Sequence, residues 1–317
     1  MACRNCGATD VRDLGFIGAL APFFLKRVFR AEVAEHRSIS PVKRALQALS
    51  RPAGKIFSRI YRPVVVVQMQ SCQRCSFVQT THPFEDQAIG RLYEDYRSGS
   101  YNEERIHYEP AYAAVAGKVG GHDEGGLGRV AALTAWLQSR VDLKGEAMLD
   151  YGGADGRYLP DLPGKRFVYE ISDIEPAPGV VRISSEANLG TYAYVQLSHV
   201  LEHVTHPLEM VRQVAALLQK DGYLLVEVPQ DVKTETLARL QAGDRSRNIT
   251  LHEHINLYSA MAVAKLLEAA GLEVIAVDTV PVQTPIQRQD FIRALGRSDG
   301  RGKQGPAHET QGSAGQF

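Results

Sequence analysis

One stretch of the chain, residues 148–156 (Met-Leu-Asp-Tyr-Gly-Gly-Ala-Asp-Gly), most constrains its fold. An apolar segment reaches an acid, Asp150, and is followed by Gly152, Gly153 and Gly156. Glycine permits positive φ and lets a ligand approach the backbone closely. In an open α/β sheet, ligands bind at the carboxyl ends of the strands. The stretch therefore predicts a strand, a turn that binds a nucleoside cofactor and, after the last glycine, the first turn of a helix. Its spacing differs from the dinucleotide fingerprint Gly-x-Gly-x-x-Gly.

The composition is that of an ordinary globular protein. The chain has 317 residues, of which 44% are hydrophobic and 23% charged, and its formal net charge is +0. That length accommodates two domains with extensions, and a neutral molecule has no overall attraction for polyanions. No apolar run approaches the roughly 18 residues that span a bilayer, and no signal peptide is evident. We therefore expect a cytoplasmic protein without a membrane span.

The four cysteines form two Cys-x-x-Cys pairs, Cys3 with Cys6 and Cys72 with Cys75. Two such turns can supply the four thiolates of a tetrahedral zinc site. The pairs are separated by residues 7–71, a longer interval than the roughly 15–20 residues of common zinc patterns. Four protein ligands leave no position for water, so the predicted zinc is structural. A redox-active pair or unpaired structural thiols are the alternatives.

The interval between the cysteine pairs contains a basic insertion, about residues 16–62. Residues 26–62 carry ten lysines and arginines against two acids, with aromatic residues among them. Segments 42–49 and 54–61 are predicted as short basic amphipathic helices. The insertion is either a solvated segment or a surface for nucleic acid, anionic lipid or a phosphorylated substrate. A nucleic-acid-binding zinc protein is therefore an alternative function.

Periodicity predicts most of the remaining elements. Residues 62–70 form a strand that pairs with 76–81 as a hairpin around the cysteines. Helices are expected at 82–96 and 129–143. The carboxy-terminal strands are expected at 147–150, 166–171, 180–183, 192–198, 221–229 and 272–278, with an edge strand at 290–295. The tyrosines of the connecting segment either line a substrate pocket or pack at a domain junction; they are Tyr93, Tyr96, Tyr101 and Tyr108.

The predicted fold class is α/β, a Rossmann-like and mostly parallel seven-stranded sheet with flanking helices, preceded by a small zinc-ribbon-like domain. We expect a zinc-binding region at 1–80, a helical connecting segment at 81–125 and a cofactor-binding domain at 126–297. Residues 298–317 are rich in glycine, serine, glutamine and charge, which predicts a disordered tail.

Four blocks of the carboxy-terminal part, in order, resemble class I S-adenosylmethionine-dependent methyltransferases over about residues 129–297. They are the glycine stretch, the acid-ended strand at Glu170, the block Ser-His-Val-Leu-Glu-His-Val-Thr-His-Pro at 198–207, and His-Glu-His-Ile-Asn-Leu-Tyr-Ser at 252–259. The cysteine pairs and residues 92–101 also resemble the zinc-binding region of sugar C-methyltransferases.

The resemblance implies S-adenosylmethionine as cofactor and a set of residues that bind it: Asp150, Gly152, Gly153, Gly156, Glu170, Ser198 and His199. Ionised Glu170 accepts hydrogen bonds and donates none, so it suits two ribose hydroxyls. Ser185 and Glu186 are the candidates beside the adenine. The interval between Glu170 and the next strand leaves almost no room for a helix, which we expect to be missing or reduced.

The stretches that contain His203 and residues 253–254 resemble those of sugar C-methyltransferases, and this resemblance implies three catalytic residues, His203, Glu253 and His254. Histidine supplies a base with a pKa near neutrality. Leu251 stands where the sugar-methylating relatives have tyrosine, and leucine cannot ionise or donate a hydrogen bond, so the chemistry or the acceptor differs from theirs. The expected acceptor is a small polar molecule, with a sugar, nucleotide-sugar or glycan as the leading candidate. An RNA-directed methyltransferase is the alternative.

Overall fold

The computed structural model describes residues 2–32, 65–96, 98–114, 116, 124–246, 248–283 and 288–300. The predicted basic helices at 42–49 and 54–61 lie outside these residues, as does the predicted disordered tail beyond residue 300. Within the described ranges, no helix is long and apolar enough to cross a membrane.

A mixed seven-stranded sheet occupies the carboxy-terminal part. Its strands are β4 (Met148–Tyr151), β5 (Arg166–Tyr169), β6 (Val180–Ile183), β7 (Tyr192–Ser198), β8 (Leu218–Pro229), β11 (Glu273–Gln283) and β12 (Arg288–Arg297). They lie in the order β11-β12-β8-β7-β4-β5-β6. The four pairs from β8 to β6 are parallel, whereas β12 runs antiparallel to both β8 and β11.

The prediction of an edge strand at 290–295 was wrong, because β12 lies between β8 and β11. Its residues 291–295 are all buried, as expected of a strand with neighbours on both sides. The strand order reverses at β4, which pairs with β5 on one side and β7 on the other. The carboxyl ends of these strands therefore form the crevice in which such sheets bind ligands.

The described helices are α1 (Pro22–Phe29), α2 (Asp86–Leu92), α3 (Gly99–Tyr108), α4 (Glu124–Gln138), α5 (Pro207–Ala215), α6 (Thr234–Gln241) and α7 (Ala260–Ala269). The predicted helical turn after Gly156 was wrong. Residues 152–165 form successive turns, because glycines and prolines recur there and both interrupt helices. The interval between β5 and β6 also lacks a helix, as its length predicts.

A second sheet has five strands in the order β10-β3-β2-β1-β9. Three come from the amino-terminal part, β1 (Val11–Leu20), β2 (Val66–Cys72) and β3 (Val78–Thr80); the other two are β9 (Ile249–Leu251) and β10 (Asn256–Leu257). The predicted pairing of β2 with β3 as a hairpin is confirmed. Residues 252–255 connect the two outer strands, so this short segment links opposite edges of the sheet.

The amino-terminal sheet packs directly on the methyltransferase-like part of the chain. Cys3, Cys75 and Phe77 belong to the same buried cluster as Tyr258 and the apolar face of α7. The ring centroids of Phe77 and Tyr258 lie 5.1 Å apart. A second cluster joins α1 and β1 to β9 and α6. The segments predicted as 1–80 and 126–297 therefore share both a sheet and a hydrophobic core.

Candidate active site

The glycine stretch forms a tight turn directly after β4. Gly152 and Gly156 have φ values of 73° and 74°, and Ala154 has a φ of 55°. A Cβ at Gly153 would lie 2.0–2.5 Å from the carboxyl atoms of Asp150, a distance that no side chain can adopt. A Cβ at Gly156 would approach a Val180 methyl to 2.8 Å. Glycine is therefore required here for backbone conformation at two positions and for space at Gly153 and Gly156.

Glu170, at the end of β5, is held against this turn by backbone donors. The Ala154 N–H donates to Oε2 at 3.0 Å, and the Ser172 N–H donates to Oε1 at 2.9 Å. Each carboxylate oxygen has a further lone pair with which to accept a hydroxyl proton. The structure thus brings together the turn and the acid that the sequence predicted as neighbours.

Asp150 is 1% exposed and its carboxyl group lies beneath Gly153 of the glycine turn. Among the described residues, no donor meets hydrogen-bond geometry with either of its carboxylate oxygens, although the Gln196 amide lies close enough to favour the charged form. Burial raises the pKa of Asp150 to about 7, although Gln196 and Arg129 act in the opposite direction. A buried acceptor without a protein donor costs free energy, and it is suited to a ligand that brings a donor or a positive charge.

Ser198, the last residue of β7, and His199, which follows it, lie beside a buried charge network. Arg129 donates to Ser198 Oγ at 2.7 Å and also forms an ion pair with Glu227. Arg293 donates to the other oxygen of Glu227 at 2.6 Å. Burial would raise the pKa of Glu227, but Arg129 and Arg293 lower it to about 2. Glu227 therefore remains ionised and fixes both arginines at the crevice.

The structure joins Ser198 and His199 to the glycine turn through Val200. A Cβ at Gly152 would lie 3.1 Å from a Val200 methyl, so the loops after β4 and β7 are in contact. Of the predicted adenine candidates, Glu186 accepts a hydrogen bond from Tyr151 Oη at 2.8 Å. All the predicted cofactor-binding residues therefore lie at the carboxyl ends of β4, β5 and β7 or on the loops that follow them.

Three histidines surround one buried carboxylate, Glu202, which has no exposed surface. The Nδ1 atom of His199 lies 3.1 Å from Glu202 Oε1, and the Nε2 atom of His203 lies 3.8 Å from the same oxygen. The rings of His203 and His254 are edge to face with centroids 5.0 Å apart. Single donor atoms of Glu202, His203 and His254 all lie within 4.8 Å of one another. The structure thus brings together His203 and His254, as predicted.

The two predicted catalytic histidines have opposite pKa shifts. Burial lowers the pKa of His203 to about 3, against the attraction of Glu202. Burial also opposes the charge on His254, but Asp231 and Glu202 outweigh it and raise the pKa of His254. Burial would raise the pKa of Glu202 itself, yet His203 and His199 lower it to about 2. His203 is therefore a neutral imidazole, whereas His254 has the higher proton affinity of the two.

Neighbouring groups fix the orientation of both histidines. His203 Nδ1 lies 2.7 Å from the Tyr93 hydroxyl and 3.3 Å from the Glu253 carbonyl oxygen. His254 Nδ1 lies 3.2 Å from Asp231 Oδ1. The Glu253 side chain forms an ion pair with Arg105 and accepts from the Tyr101 hydroxyl at 3.2 Å. The Glu253 carboxylate therefore already has Arg105 and the Tyr101 hydroxyl as partners.

Sequence reasoning did not identify several of these partners: Arg129, Glu202, Glu227, Asp231 and Arg293. Glu202 lies inside the histidine block, and Asp231 follows the end of β8, so the rule that functional groups follow strand ends could have found both. Arg293 carried no such signal, because its place in the middle of an apolar strand becomes meaningful only through Glu227 on the neighbouring strand.

The four cysteines converge although residues 7–71 separate the pairs. Cys3 Sγ lies 3.7 Å from Cys75 Sγ, and Cys6 Sγ lies 3.7 Å from Cys72 Sγ. All four are free thiols. Zinc–sulfur bonds of about 2.3 Å in a tetrahedron place neighbouring sulfurs about 3.8 Å apart. The observed separations fit that geometry.

Both cysteine turns have the same backbone hydrogen bonds. In the first, Gly7 N–H donates to the Cys3 carbonyl at 2.9 Å; in the second, Ser76 N–H donates to the Cys72 carbonyl at 2.9 Å. Gly7 and Ser76 both have positive φ, 75° and 63°. Two equivalent turns facing each other are the arrangement expected of a four-thiolate metal site.

The described part of the chain offers little support for a nucleic-acid surface. Of the basic residues at 26–62, only Lys26, Arg27 and Arg30 are described. Arg27 forms an ion pair with Glu104 at 2.5 Å, and its guanidinium stacks over the Phe23 ring at 5.4 Å. The prediction of a basic binding surface concerns residues outside the described ranges and stays a prediction.

Residues 128–277 match the family model described as a methyltransferase domain. Over these residues the chain is similar to a methyltransferase domain, and the predicted enzyme class, an S-adenosylmethionine-dependent methyltransferase, is confirmed. A comparison with curated protein sequences found no match.

Solved structures of methyltransferases superpose on part of the chain. The 1,6-didemethyltoxoflavin-N1-methyltransferase of Burkholderia thailandensis, solved with its substrate and S-adenosylhomocysteine, is 15% identical over 70% of this chain and 95% of its own, with a TM-score of 0.44. The N-methyltransferase NodS of Bradyrhizobium japonicum is 14% identical over 56% and 89%, with a TM-score of 0.38. Magnesium protoporphyrin IX methyltransferase of Synechocystis is 17% identical over 54% and 83%, with a TM-score of 0.39. Likenesses of this degree do not bear on the acceptor.

Proposed function

We propose that the protein transfers the methyl group of S-adenosylmethionine to a small polar acceptor bound beside the histidines. The observation that carries this proposal is the junction of three loops at one crevice: the glycine turn, Glu170, and the block that begins at Ser198. The turn and Glu170 would hold the ribose and amino-acid parts of the cofactor, which supplies an electrophilic methyl group on sulfur. Asp150 is buried and has no donor within hydrogen-bond geometry among the described residues, so its carboxylate suits the ammonium group of that cofactor.

His254 is the proposed general base. Methyl transfer requires an aligned nucleophile, and a protonated nucleophile must lose its proton. The raised pKa of His254 makes it the better proton acceptor, whereas His203 has a pKa of about 3 and remains neutral. His203 would instead orient the acceptor, and Glu253 would hold Arg105 and Tyr101 in place.

The proposed acceptor is a sugar, nucleotide-sugar or glycan. Support comes from the resemblance of the histidine blocks to sugar C-methyltransferases and from the polar groups beside His203, namely the Tyr93 hydroxyl at 2.7 Å and the His254 ring. Such groups can form directed hydrogen bonds with several hydroxyls of one small ligand.

The proposed metal is one structural zinc ion held by the four cysteines. Asn5 supports this arrangement, since its Nδ2 atom lies 3.6 Å from Cys75 Sγ and donates to the Ala262 carbonyl at 2.7 Å. The metal would thereby stabilise the contact between the amino-terminal sheet and α7. Thiols used as metal ligands rather than as disulfides also support the proposed cytoplasmic location. Metal analysis should find about one equivalent of zinc, and substitution of Cys72 should remove it.

Calorimetry with S-adenosylmethionine and S-adenosylhomocysteine tests the cofactor assignment. Binding of both is expected, with a loss in Gly153→Ala and no change in Asp142→Asn, whose carboxylate is exposed on the surface. Absence of binding at millimolar ligand would overturn the proposal. Methyl transfer to a panel of sugars, nucleotide-sugars and RNA then distinguishes the acceptor classes.

A further inference from the structure

We infer that Asp231 is a positioning residue that holds His254 with Nδ1 protonated, so that Nε2 is the nitrogen that takes the acceptor's proton. This inference rests on the proposed function. The observation behind it is the distance of 3.2 Å between His254 Nδ1 and Asp231 Oδ1, two groups far apart in sequence that tertiary structure joins.

The backbone holds both members of this pair in place. Asp231 follows the end of β8, and its N–H donates to the Pro229 carbonyl at 3.1 Å. The next residue, Val232, donates to the carbonyl of Tyr258 at 3.3 Å, which ties the Asp231 segment to the residue directly after β10. On the other side, the Ile255 N–H donates to the Glu202 carbonyl at 2.9 Å. The pair is therefore anchored at both of its segments.

The chemistry of the pair fixes the tautomer of the histidine. An ionised carboxylate accepts hydrogen bonds and donates none, so the proton between the two side chains belongs to Nδ1. The lone pair is then on Nε2, the arrangement by which a buried aspartate orients histidine in the Ser-His-Asp triad. Once Nε2 takes a proton, the carboxylate stabilises the imidazolium that forms. Asp231 would thus act through His254 and not on the acceptor itself.

Other charged groups also face His254. Glu202 favours its charged form, Arg105 opposes it, and burial opposes it as well. The neutral His203 lies against its ring. The other carboxylates are already engaged, because Glu202 Oε1 bonds to His199 and Glu253 pairs with Arg105. Asp231 is therefore the carboxylate whose removal should change the proton affinity of His254 most directly.

Nitrogen NMR of histidine-labelled full-length protein tests the inference without an acceptor. In wild type, the His254 signal, assigned by its loss in His254→Gln, should show the Nε2 lone pair. In Asp231→Asn, the His254 pKa should fall by about 1 unit or more, the usual effect of losing a neighbouring opposite charge. A wild-type His254 with its proton on Nε2, or an unchanged pKa in Asp231→Asn, would overturn the inference.

Asp290→Asn is the matched control, because Asp290 lies close to Asp231 and pairs with Lys233 at 3.1 Å instead of with a histidine. His254 should titrate in this variant as in wild type. His252 gives an internal reference, since its Nδ1 lies 3.1 Å from Glu109 and it should not respond to Asp231→Asn. Equal shifts of His252 and His254 would show a general disturbance of the loop and would contradict a specific pair.

Zinc titration tests whether Glu202, His203 and His254 instead bind a metal ion. After the cysteines are saturated, further zinc should leave the His254 and His203 signals unchanged. Binding of a second equivalent that shifts both signals and disappears in Glu202→Gln would make the cluster a metal centre, and Asp231 would not orient a base.

Kinetic measurements separate the failure of this inference from that of the proposed function. With an acceptor in hand, Asp231→Asn should lower kcat, leave S-adenosylhomocysteine binding unchanged, and move the acidic limb of the kcat profile to lower pH, since the base then has a lower pKa. Asp231→Glu should partly restore the rate. If the NMR result holds but no acceptor is methylated, Asp231 still positions His254 and the proposed function fails.

Discussion

Replacing Asp150 with asparagine should stabilise the cofactor-free protein in a pH-dependent manner. Burial raises the pKa of Asp150 from 3.8 to about 7. Between these values the folded state holds a proton that the unfolded state has lost, so the free energy of unfolding of wild type falls as pH rises across this window. At about 1.4 kcal/mol per pKa unit, the total cost of the charge above pH 7 is about 4 kcal/mol. Asparagine does not incur this cost.

Urea unfolding at pH 5 and pH 8, followed by the fluorescence of the single tryptophan, Trp136, measures the effect. The stability advantage of Asp150→Asn over wild type should grow by about 3 kcal/mol between the two pH values. Asp142→Asn removes an exposed carboxylate and should show no such growth. An advantage that is the same at both pH values would mean that Asp150 is ionised without cost, and the reasoning from its burial would be refuted.

The same variant should bind S-adenosylhomocysteine more weakly. Among the described residues, neither Asp150 oxygen has a donor within hydrogen-bond geometry, and Gln196 and Arg129 offset the effect of burial only in part, so the cofactor's ammonium group is the proposed partner of the buried charge. Asparagine keeps the shape but loses that attraction. A variant that gains stability and loses affinity would identify Asp150 as a residue retained for binding at the expense of stability. Unchanged affinity would separate Asp150 from the cofactor site.

Three further predictions follow from the contacts of single residues. Gly153→Ala should abolish cofactor binding, because its Cβ would overlap the Asp150 carboxyl; calorimetry measures this. His254→Ala should leave cofactor affinity unchanged and reduce turnover by about 100-fold or more, the usual contribution of a general base; an unchanged rate would exclude it as the base. Glu202→Gln should destabilise the protein at pH 7, because Glu202 Oε1 lies 3.1 Å from His199 Nδ1 and losing a buried charged hydrogen bond costs about 2 kcal/mol. Because the pKa of Glu202 is lowered from 4.5 to about 2, that loss should shrink as pH falls between these two values, which urea unfolding at pH 7 and pH 3 can detect.

The parts of the fold that follow from local pattern were predictable. A pattern only a few residues long was enough to predict three features. These are the apolar run before Asp150, the acid at the end of the next strand and the paired cysteines. Their relation in space, with Glu170 against the glycine turn and the four thiols together, follows from general rules for parallel sheets and zinc sites. Strand β12 was placed wrongly because its position depends on which strands flank it, and sequence periodicity does not report that.

The charge network was not predictable, because its members acquire their roles only through distant partners. Glu227 lies on a strand whose other central residues are apolar. The two arginines that bond to it, Arg129 and Arg293, come from α4 and β12. Strands β9 and β10 are three and two residues long, too short for any alternating pattern. Their pairing with opposite edges of the amino-terminal sheet is set by tertiary contact alone.

That pairing gives a physical reason for leucine at position 251, where the expected resemblance to sugar C-methyltransferases would place a tyrosine. Leu251 is fully buried as the last residue of β9, and its carbonyl accepts from Ala21 N–H at 3.0 Å. An apolar side chain here packs into the cluster that joins α1, β1 and α6. A tyrosine hydroxyl at this position would enter that apolar core without an evident partner, at a cost typical of buried polar groups.

The phenol groups next to the predicted catalytic residues come instead from the connecting segment. Tyr93 lies 2.7 Å from His203, and Tyr101 lies 3.2 Å from the Glu253 carboxylate. Because residues 252–255 bridge the two edges of the amino-terminal sheet, the same sheet that gathers the cysteines also fixes the backbone of His254. Loss of the proposed zinc should therefore disturb residues 252–255 as well as the cysteine turns. If chelation removes the metal and the His254 signal keeps its pKa and tautomer, the two ends of this sheet are not coupled and its role is limited to folding.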